Sequence, residues 1–282
     1  MAEIIIGDIG INILPGTVNV DLILGLGGDD ELDGGGGSDR VEGGSGSDRV
    51  IGGVGDDVLL GGRGTDTLNG GEGDDRLDGG LGDDLISGGD GVDTASYAGA
   101  AAKVTVDLAL TGDQATGGAG VDTLTGVESL IGSALADTLL GSAGGNRLEG
   151  GAGGDTLNGR DGADTLTGGL GGDRMAGGKG ADVFVFTDVK ESQGRQADRI
   201  GDFVAGVDRI DLSAIDADKG ARGNQAFDFI GSAAFSGAAG ELRAAVANGV
   251  TVVQADVNGD QAADMTLNLG GVVVLSATDF VL

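Results

Sequence analysis

From Gly25 onward, one nine-residue unit recurs eight times without a gap, and its template is G-G-x-G-x-D-x-U-x, where U is apolar. The eight units read GLGGDDELD, GGGGSDRVE, GGSGSDRVI, GGVGDDVLL, GGRGTDTLN, GGEGDDRLD, GGLGDDLIS and GGDGVDTAS. A fixed period with a carboxylate at one phase and an apolar residue at another describes a stack of identical turns. This nonapeptide is typical of calcium-binding parallel β-helix repeats.

The register extends beyond the uninterrupted block to 17 units. Two degenerate units precede Gly25, one returns as GGAGVDTLT at residues 117–125, and six more follow from Gly132. The sixth position is Asp in 15 of the 17 units and Asn in the other two, Asn12 and Asn146. The eighth position is apolar in all 17 units, so the phase is not accidental.

Each phase of the repeat has a physical role. Glycines at the first, second and fourth positions permit positive φ and close approach of the backbone to a ligand. Calcium prefers six to eight oxygen ligands, which backbone carbonyls and Asp carboxylates supply. The triplet around the eighth position is a short strand with one side chain facing inward. We therefore predict an all-β fold, a parallel β-roll in which two repeats form one coil and calcium lies between loops 18 residues apart.

The predicted metal ligands of the roll are the side chains at the sixth position, and we expect roughly ten calcium ions in total. These side chains are Asp21, Asp30, Asp39, Asp48, Asp57, Asp66, Asp75, Asp84, Asp93, Asp122, Asp137, Asn146, Asp155, Asp164, Asp173 and Asp182. The candidate carbonyl ligands are those of Gly35, Gly37, Gly44, Gly46, Gly53, Gly55, Gly62, Gly64, Gly71, Gly73, Gly151 and Gly153.

Composition and charge exclude several other classes. The chain has 63 Gly but 1 Pro, which excludes collagen and Pro-Gly disorder. The G-x-G-x-x-G matches within the repeats lack the flanking strand and helix of a dinucleotide site, and an acidic linker would not keep an apolar phase. The net charge of −30 argues against a nucleic-acid partner. Because stacked carboxylates repel one another, we expect the chain to be disordered without calcium and folded with it.

The C-terminal third reads as a different domain, since all seven Phe lie at or beyond residue 184. Strands are predicted around VFVFTDV, RIDLSAI and AFDFIG, with a hairpin turn at Asn248-Gly249 and a second Gly-Gly turn, Gly270-Gly271, between two strands. The predicted organisation is degenerate cap repeats at 1–24, roll block 1 at 25–96, an irregular insert with one repeat at 97–131, roll block 2 at 132–185 and a β-rich domain at 186–282.

A second kind of metal candidate lies in this region. Asp256, Asn258, Asp260 and Asp264 occupy positions one, three, five and nine of a tight loop, a spacing that suits calcium. The alternative is a polar β-turn. Three other acidic residues of the region, Asp198, Asp202 and Asp208, are expected to be solvated or to cap turns rather than to bind metal.

The order of several segments carries a family resemblance. GGKGADVFVF, ADRIGDFVAGVDRIDLSAID, AFDFIG, GELR, DVNGDQAADMTL and the terminal DFVL follow one another as in the C-terminal domain of the serralysin family. The preceding repeats resemble those of RTX (hemolysin-type) proteins. The C-terminal resemblance covers residues 177–282, so the two together cover most of the chain.

The resemblance implies a calcium-dependent β-roll that is exported through a type I ABC-transporter channel, and hence a secreted, extracellular protein. Its uncleaved signal would be the C-terminal Asp279, Phe280, Val281 and Leu282; the alternative for this tail is an edge strand. Independently, the first residues lack the basic region of a Sec signal, and no apolar run is long enough to span a membrane. The initiating Met and the DFVL end favour a complete chain.

Serralysins carry a zinc protease domain ahead of this module, but this chain has no His and no Cys. The H-E-x-x-H zinc site and the Ser-His-Asp and Cys-His arrangements are therefore excluded, and we expect a protein that is not an enzyme.

Three functions remain open: an exported calcium-folded protein, a binder of extracellular matrix or acidic polysaccharide, and a membrane-active toxin, for which no long apolar region is present. A variant of the first function is that the chain is a C-terminal secretion module related to that of a metalloprotease. Arginines at the outward seventh position could contact a polyanion, although charge compensation explains them equally: Arg40, Arg49, Arg76, Arg147 and Arg174.

Overall fold

The computed structural model describes residues 2–282, and these fall into two compact units, Met1–Ala134 and Leu135–Leu282. Residues 2–282 are all-β apart from three single-turn 3₁₀ helices, as the repeats predict. None of the helices formed by residues 2–282 has the length and apolar character needed to cross a membrane.

The first unit is built from short strands, and those of the uninterrupted repeats begin just after the sixth position. They are β1 (Ile4–Ile6), β2 (Ile13–Pro15), β3 (Leu22–Gly27), β4 (Glu31–Gly36), β5 (Arg40–Ser45), β6 (Arg49–Val54), β7 (Val58–Arg63), β8 (Thr67–Glu72), β9 (Arg76–Leu81), β10 (Leu85–Asp90), β11 (Thr94–Ser96), β12 (Thr105–Asp107), β13 (Gln114–Ala115), β14 (Val121–Thr125) and β15 (Ser129–Ile131).

Alternate strands of this unit belong to two parallel sheets. One sheet runs β1-β3-β5-β7-β9-β11-β15, and the other runs β2-β4-β6-β8-β10-β14 with β13 antiparallel at its edge. The register step is eighteen residues: Val58 of β7 pairs with Arg40 on one side and Arg76 on the other. The prediction that two nonapeptides form one coil is therefore confirmed.

The core of the first unit is a single column of side chains under each sheet. Eighth-position residues such as Ile23, Leu59 and Leu77 are 0 % exposed. The residues on either side of each point outward, because side chains alternate along a strand. The insert contributes Val104 and Val106, both fully buried, but its KVTVDLAL segment forms only the short strand β12.

The second unit begins with the same coils and then changes. Its strands are β16 (Thr138–Leu140), β17 (Arg147–Gly153), β18 (Thr156–Asp161), β19 (Thr165–Gly171), β20 (Arg174–Lys179), β21 (Val183–Val185), β22 (Asp198–Ile200), β23 (Arg209–Asp211), β24 (Asp228–Phe229), β25 (Glu241–Ala247), β26 (Val250–Asp256), β27 (Met265–Leu269) and β28 (Phe280–Val281). The 3₁₀ helices are Val189–Glu191, Gly194–Gln196 and Ala277–Asp279.

Both sheets of the second unit continue past the last repeat. One runs β17-β19-β21-β23-β28, and the other runs β16-β18-β20-β22-β27-β26-β25-β24. The β22–β27 pair is still parallel, whereas β27, β26 and β25 form antiparallel hairpins. Strands outside the repeats thus extend the roll directly, and the domain boundary at residue 185 stays a prediction.

Two turn predictions in this unit have different outcomes. The Asn248-Gly249 hairpin is confirmed, and both residues have positive φ, 52° and 81°. The strand expected after Gly270-Gly271 is wrong, because Val272 and Val274 are 62 % and 84 % exposed and the segment has no ladder. Three hydrogen bonds hold it to β26: the Thr251 amide donates to Gly271 O, the Thr251 hydroxyl donates to Val273 O, and the Val273 amide donates to the Thr251 hydroxyl.

The aromatic core begins where the repeats end. Phe184 replaces the usual aliphatic residue at the eighth position and packs on Phe203 with ring centroids 6.1 Å apart. Phe229 and Phe280 form a second pair at 5.0 Å.

Candidate calcium sites

The sixth-position aspartates form ladders linked by hydrogen bonds across successive coils. The backbone amide of Asp48 donates to Oδ1 of Asp66 at 2.8 Å, and the amide of Asp39 donates to Oδ1 of Asp57 at 2.7 Å. The same bond joins Asp137 to Asp155 in the second unit, at 2.7 Å. Each carboxylate is therefore oriented by the coil before it, with one oxygen satisfied.

The other oxygen of these carboxylates has no hydrogen-bond partner. Thirteen buried Oδ2 atoms find no donor anywhere in residues 2–282. They belong to Asp30, Asp39, Asp48, Asp57, Asp66, Asp75, Asp84, Asp93, Asp155, Asp164, Asp173, Asp182 and Asp198. A buried carboxylate oxygen that lacks a donor costs far more than its satisfied partner gains, so a regular array of them indicates cation sites.

Glycine at the first position of each repeat leaves space beside the unpartnered oxygen. A β-carbon added at Gly43 would lie 2.5 Å from Oδ2 of Asp48 and 2.7 Å from the carbonyl oxygen of Gly61. The same carboxylate and carbonyl pair lies beside Gly34, at 2.6 Å for Asp39 Oδ2 and 2.5 Å for Gly52 O. The space is therefore lined by oxygens from two consecutive coils.

The predicted carbonyl ligands also face the next coil. A β-carbon on Gly53, whose φ is +113°, would lie 2.3 Å from the oxygen of Gly35. The twelve predicted carbonyls each face the glycine 18 residues later in this way. They are Gly35, Gly37, Gly44, Gly46, Gly53, Gly55, Gly62, Gly64, Gly71, Gly73, Gly151 and Gly153.

The oxygen inventory fits calcium. No group of three or more acidic side chains within residues 2–282 is placed to hold one metal ion. Beside the first-position glycines, the oxygens present are a carboxylate oxygen and a backbone carbonyl oxygen from consecutive coils. Six to eight such hard oxygens are what calcium requires, whereas zinc prefers His and Cys, of which this chain has none.

Burial changes the protonation of the ladders when no cation is present. Burial is the largest cause of a raised pKa in these carboxyl groups, and the neighbouring carboxylates raise the pKa further. The backbone hydrogen bond to each rung, meaning each aspartate of a ladder, acts to lower it. The pKa rises to about 7 for Asp57, Asp84 and Asp155, to about 6 for Asp66, Asp75, Asp164 and Asp173, and to about 8 for Asp198.

Some predicted ligands have their side-chain oxygens occupied by protein donors. Asp21 accepts the Glu3 amide on Oδ1 and the Thr17 amide and hydroxyl on Oδ2. Burial acts to raise the pKa of Asp21, but these hydrogen bonds outweigh it and lower that pKa. Asn146 Oδ1 accepts the Ser142 amide at 2.7 Å.

A ladder of the first unit ends at Asp122. Its Oδ1 accepts the Asp84 amide at 3.1 Å, and its Oδ2 accepts the Tyr97 hydroxyl at 3.1 Å and the Thr116 hydroxyl at 3.0 Å. The parallel ladder passes from Asp93 to Glu128, whose Oε2 accepts the Asp93 amide at 3.0 Å. The insert thus supplies protein groups where the next repeat would have been.

The expectation that Asp198 is solvated is wrong. Asp198 is 0 % exposed and accepts the Asp173 amide on Oδ1 at 2.7 Å, so it continues a ladder beyond the repeats. Asp208, 3 % exposed, does the same for Asp182 at 3.1 Å, although its Oδ2 caps a turn by accepting the Val204 amide. Asp202 is exposed and accepts the amides of Gly177 and Gly178.

A signal for these rungs is present in the sequence. Asp198-Arg199-Ile200 and Asp208-Arg209-Ile210 repeat the D-x-U end of the nonapeptide. The fixed step of 18 residues does not find them, because Asp198 follows its previous rung by 25 residues and Asp208 follows its own by 26. The backbone between the rungs contains the two 3₁₀ turns Val189–Glu191 and Gly194–Gln196.

The loop at residues 256–264 has the geometry of a polar turn. Asp256 is 0 % exposed, and its carboxylate accepts the amides of Asn258, Gly259 and Gln261 at 3.1, 2.7 and 2.9 Å. Asp264 accepts the Val257 amide and the Asn258 side-chain amide, and Asp260 accepts the Ala262 amide. These contacts account for the acidic residues without an ion; calcium binding by the loop stays a prediction.

The C-terminal tail is part of the folded sheet. Asp279 is 2 % exposed and accepts the Gly206 amide at 2.6 Å and the Ser276 amide at 2.7 Å. Burial acts to raise the pKa of Asp279, but these hydrogen bonds outweigh it and hold that pKa below its usual value. Val281 pairs with Asp211 in the sheet.

Comparison with protein families agrees with this arrangement. The model of the peptidase M10 serralysin C-terminal family matches residues 35–282, and that of the RTX calcium-binding nonapeptide repeat matches residues 6–41 and 15–50. The chain belongs to the serralysin C-terminal family. In this serralysin-type chain, the match to the RTX calcium-binding repeat covers the rungs Asp21, Asp30, Asp39 and Asp48.

Solved structures similar to this serralysin-type chain include two subunits of an epimerase and a lipase. The AlgE6R3 and AlgE6R2 subunits of the mannuronan C5-epimerase of Azotobacter vinelandii are 32 % and 27 % identical. They match 54 % and 53 % of this chain over 80 % and 89 % of their own, each with a TM-score of 0.40. The extracellular lipase LipA of Serratia marcescens is 20 % identical over 83 % of this chain and 40 % of its own, with a TM-score of 0.30.

Proposed function

We propose that this chain is a secreted, non-catalytic calcium-binding protein that folds on roughly ten calcium ions after type I export. The observation that carries the proposal is the array of thirteen buried carboxylate oxygens without a donor in residues 2–282. Such an array is tolerable only with cations in place or with protons on the carboxylates.

Each ion would be held between two consecutive coils on one side of the roll. At one such site in the first unit, Asp48 and Asp66 would supply carboxylate oxygens and the glycine-rich loops would supply carbonyls. The ion supplies the positive charge that lets both carboxylates stay ionised. The chain's own part is to orient each carboxylate through the backbone amide of the preceding rung and to keep side chains out of the loops.

The energetics favour folding that depends on calcium. Burial in the repeats is confined to one aliphatic side chain per nonapeptide, and the aromatic content is 3 %. If free calcium is tenfold above the dissociation constant, each site contributes about 1.4 kcal/mol, and ten sites contribute about 14 kcal/mol. That sum is comparable to the whole stability of an ordinary domain.

Export of an unfolded chain agrees with the position of the tail. In the folded chain Asp279 and Phe280 are 2 % and 6 % exposed, so a transporter would reach them before folding. Low calcium inside the cell would keep the chain unfolded, and higher calcium outside would fold it. The absence of His and Cys supports a role without catalysis, since neither a zinc protease site nor a His-based triad can be assembled.

A calcium titration of chelated protein, followed by circular dichroism and calorimetry, tests this function. We expect a cooperative coil-to-β transition with about ten ions bound at dissociation constants of about 0.1–1 mM. A flat titration would overturn the proposal. Co-expression with a type I transporter tests export separately: the full chain should reach the medium, and a chain lacking residues 279–282 should stay in the cell.

A second candidate function, binding of an acidic polysaccharide, is favoured by one cavity of the second unit. Arg174, Arg195, Arg199 and Asn268 line it, and none of the three guanidinium groups has an ion pair or hydrogen bond with residues 2–282. By contrast Arg40 pairs with Glu42 at 2.6 Å, which is charge compensation. Calorimetry with an acidic glycan should show binding that an Arg174→Gln, Arg199→Gln double variant loses.

A further inference from the structure

Asp198 lies thirteen residues beyond Val185, the end predicted for the last repeat, yet it repeats the geometry of a ladder rung. It accepts the Asp173 amide on Oδ1 at 2.7 Å, which equals the distance from the Asp155 amide to Oδ1 of Asp173. The chain between Asp173 and Asp198 is 25 residues long, but β22 still pairs in parallel with β20, with Arg199 opposite Arg174.

The two carboxylates leave a pair of unsatisfied oxygens in successive rungs. Oδ2 of Asp173 and Oδ2 of Asp198 are both buried, and neither has a hydrogen-bond donor in residues 2–282. Asp173 and Asp198 are 1 % and 0 % exposed. Two buried carboxylates in adjacent rungs repel each other unless a cation lies between them.

The surrounding groups do not satisfy these oxygens. Arg174 and Arg199 are exposed, as expected for residues that alternate with a buried neighbour along a strand. Glu191 is nearby, but its two oxygens accept the Thr187 amide and hydroxyl at 2.9 and 2.5 Å. The Asp198 amide donates to the Ser192 hydroxyl at 2.8 Å, so the ladder ends here and Asp198 is its last carboxylate.

We propose that Asp173 and Asp198 bind a calcium ion between them, at a site whose second carboxylate comes from outside the nonapeptide repeats. The inference rests on the proposed function, because it assigns one further site of the same kind. β22 also pairs with β27, the inner strand of the C-terminal hairpins. The ion therefore ties the last coil of the roll to the antiparallel sheet, so that calcium binding and folding of the C-terminal region are coupled.

The bound calcium count of purified variants tests this site. In Asp198→Asn the amide oxygen can still accept the Asp173 amide, whereas the carboxylate charge is lost. We expect Asp198→Asn to bind one ion fewer per chain than the wild type, and Asp173→Asn, which flanks two sites, to bind two fewer. Asp228→Asn is the matched control, since Asp228 is exposed, and it should bind the wild-type number.

An unchanged count in a folded Asp198→Asn variant would overturn the inference and leave the proposed function intact, whereas a wild type that binds no calcium would overturn both. If Asp198→Asn does not fold even in excess calcium, the wild-type protein provides the test. Anomalous scattering from calcium-loaded crystals of the wild type should show a peak between the Oδ2 atoms of Asp173 and Asp198. Peaks between other rungs but none here would contradict the site.

Discussion

The backbone amide of Asp48 donates a 2.8 Å hydrogen bond to Oδ1 of Asp66, the aspartate one coil later, while Oδ2 of Asp66 stays buried without a donor in residues 2–282. One bond therefore does two things. It fixes the rotamer of the carboxylate, and it directs the second oxygen into the space that the first-position glycines leave open. The backbone therefore pre-organises the carboxylates of the ladder, and a bound cation would compensate their buried negative charge.

Removing one rung charge should weaken calcium binding without disturbing the roll. Asp66→Asn keeps an acceptor for the Asp48 amide but removes the charge shared by the two sites that flank it. We expect the loss of about two ions and of roughly 3 kcal/mol of calcium-dependent stability at calcium tenfold above the dissociation constant. Calcium counting and denaturant unfolding check this, with exposed Asp90→Asn as the equal-charge control. Equal losses in both variants would contradict it.

A methyl group in the loop should block a site sterically. In Gly43→Ala the new β-carbon would lie 2.5 Å from Asp48 Oδ2 and 2.7 Å from Gly61 O, which no real contact tolerates. We expect a lower calcium count and a large fall in thermal stability. Gly112→Ala, where nothing lies within 4 Å, should be neutral or slightly stabilising. Wild-type behaviour of Gly43→Ala would show that the loop space is not a ligand site.

The pH dependence without calcium should be the reverse of ordinary acid denaturation. Burial raises the pKa of Asp57 to about 7 and of Asp66 to about 6, above an unfolded value near 4. A raised folded pKa contributes stability below the unfolded pKa and loses it as pH rises through the folded pKa. Calcium-free protein should therefore gain β structure as the pH falls from about 8 to about 4, and circular dichroism measures this gain. A spectrum that becomes more coil-like on acidification would contradict the ladder electrostatics.

Protons and calcium should also compete for the same oxygens. Because the ion needs ionised carboxylates, the calcium dissociation constant of the folded chain should rise as the pH falls below about 7. Calcium-binding titrations of the folded chain at several pH values measure this change. A dissociation constant independent of pH in this window would place the ions elsewhere than on Asp57, Asp66 and their equivalents.

The hydroxyl that ends one ladder should matter for stability. Tyr97 is 4 % exposed and donates to Oδ2 of Asp122 at 3.1 Å. Tyr97→Phe removes one of the two hydroxyl donors to that oxygen, and we expect a loss of about 1–2 kcal/mol in saturating calcium. Thermal unfolding checks this, with Thr116→Ser, which keeps the second hydroxyl, as the control. Unchanged stability would mean that Asp122 does not depend on Tyr97.

The repeating part of the fold was predictable because its period is rigid. A carboxylate every nine residues and an apolar residue two positions later fix the coil length, the two sheets and the buried column that contains Leu59. The twelve glycine carbonyls follow from the same phase, since all of them occupy the second or fourth position of the repeat. Whether each rung holds an ion remains a prediction.

The departures lie where the period breaks. Asp198 and Asp208 continue the ladders at spacings of 25 and 26 residues, which a fixed step of 18 cannot find. Val272 and Val274 read as a strand from composition, but they form no ladder and are left exposed. The loop at Asp256 shows a further limit, because calcium-ligand spacing and an Asp-rich turn look alike until the hydrogen bonds are known.

We infer that calcium, and not hydrophobic burial alone, holds this chain in its folded state. Small-angle scattering of the wild-type protein at neutral pH, first in chelator and then in millimolar calcium, tests this dependence. An unfolded chain of this length should have a radius of gyration of about 60 Å, and we expect calcium to reduce it by more than half. A chain that is equally compact in chelator would contradict the claim.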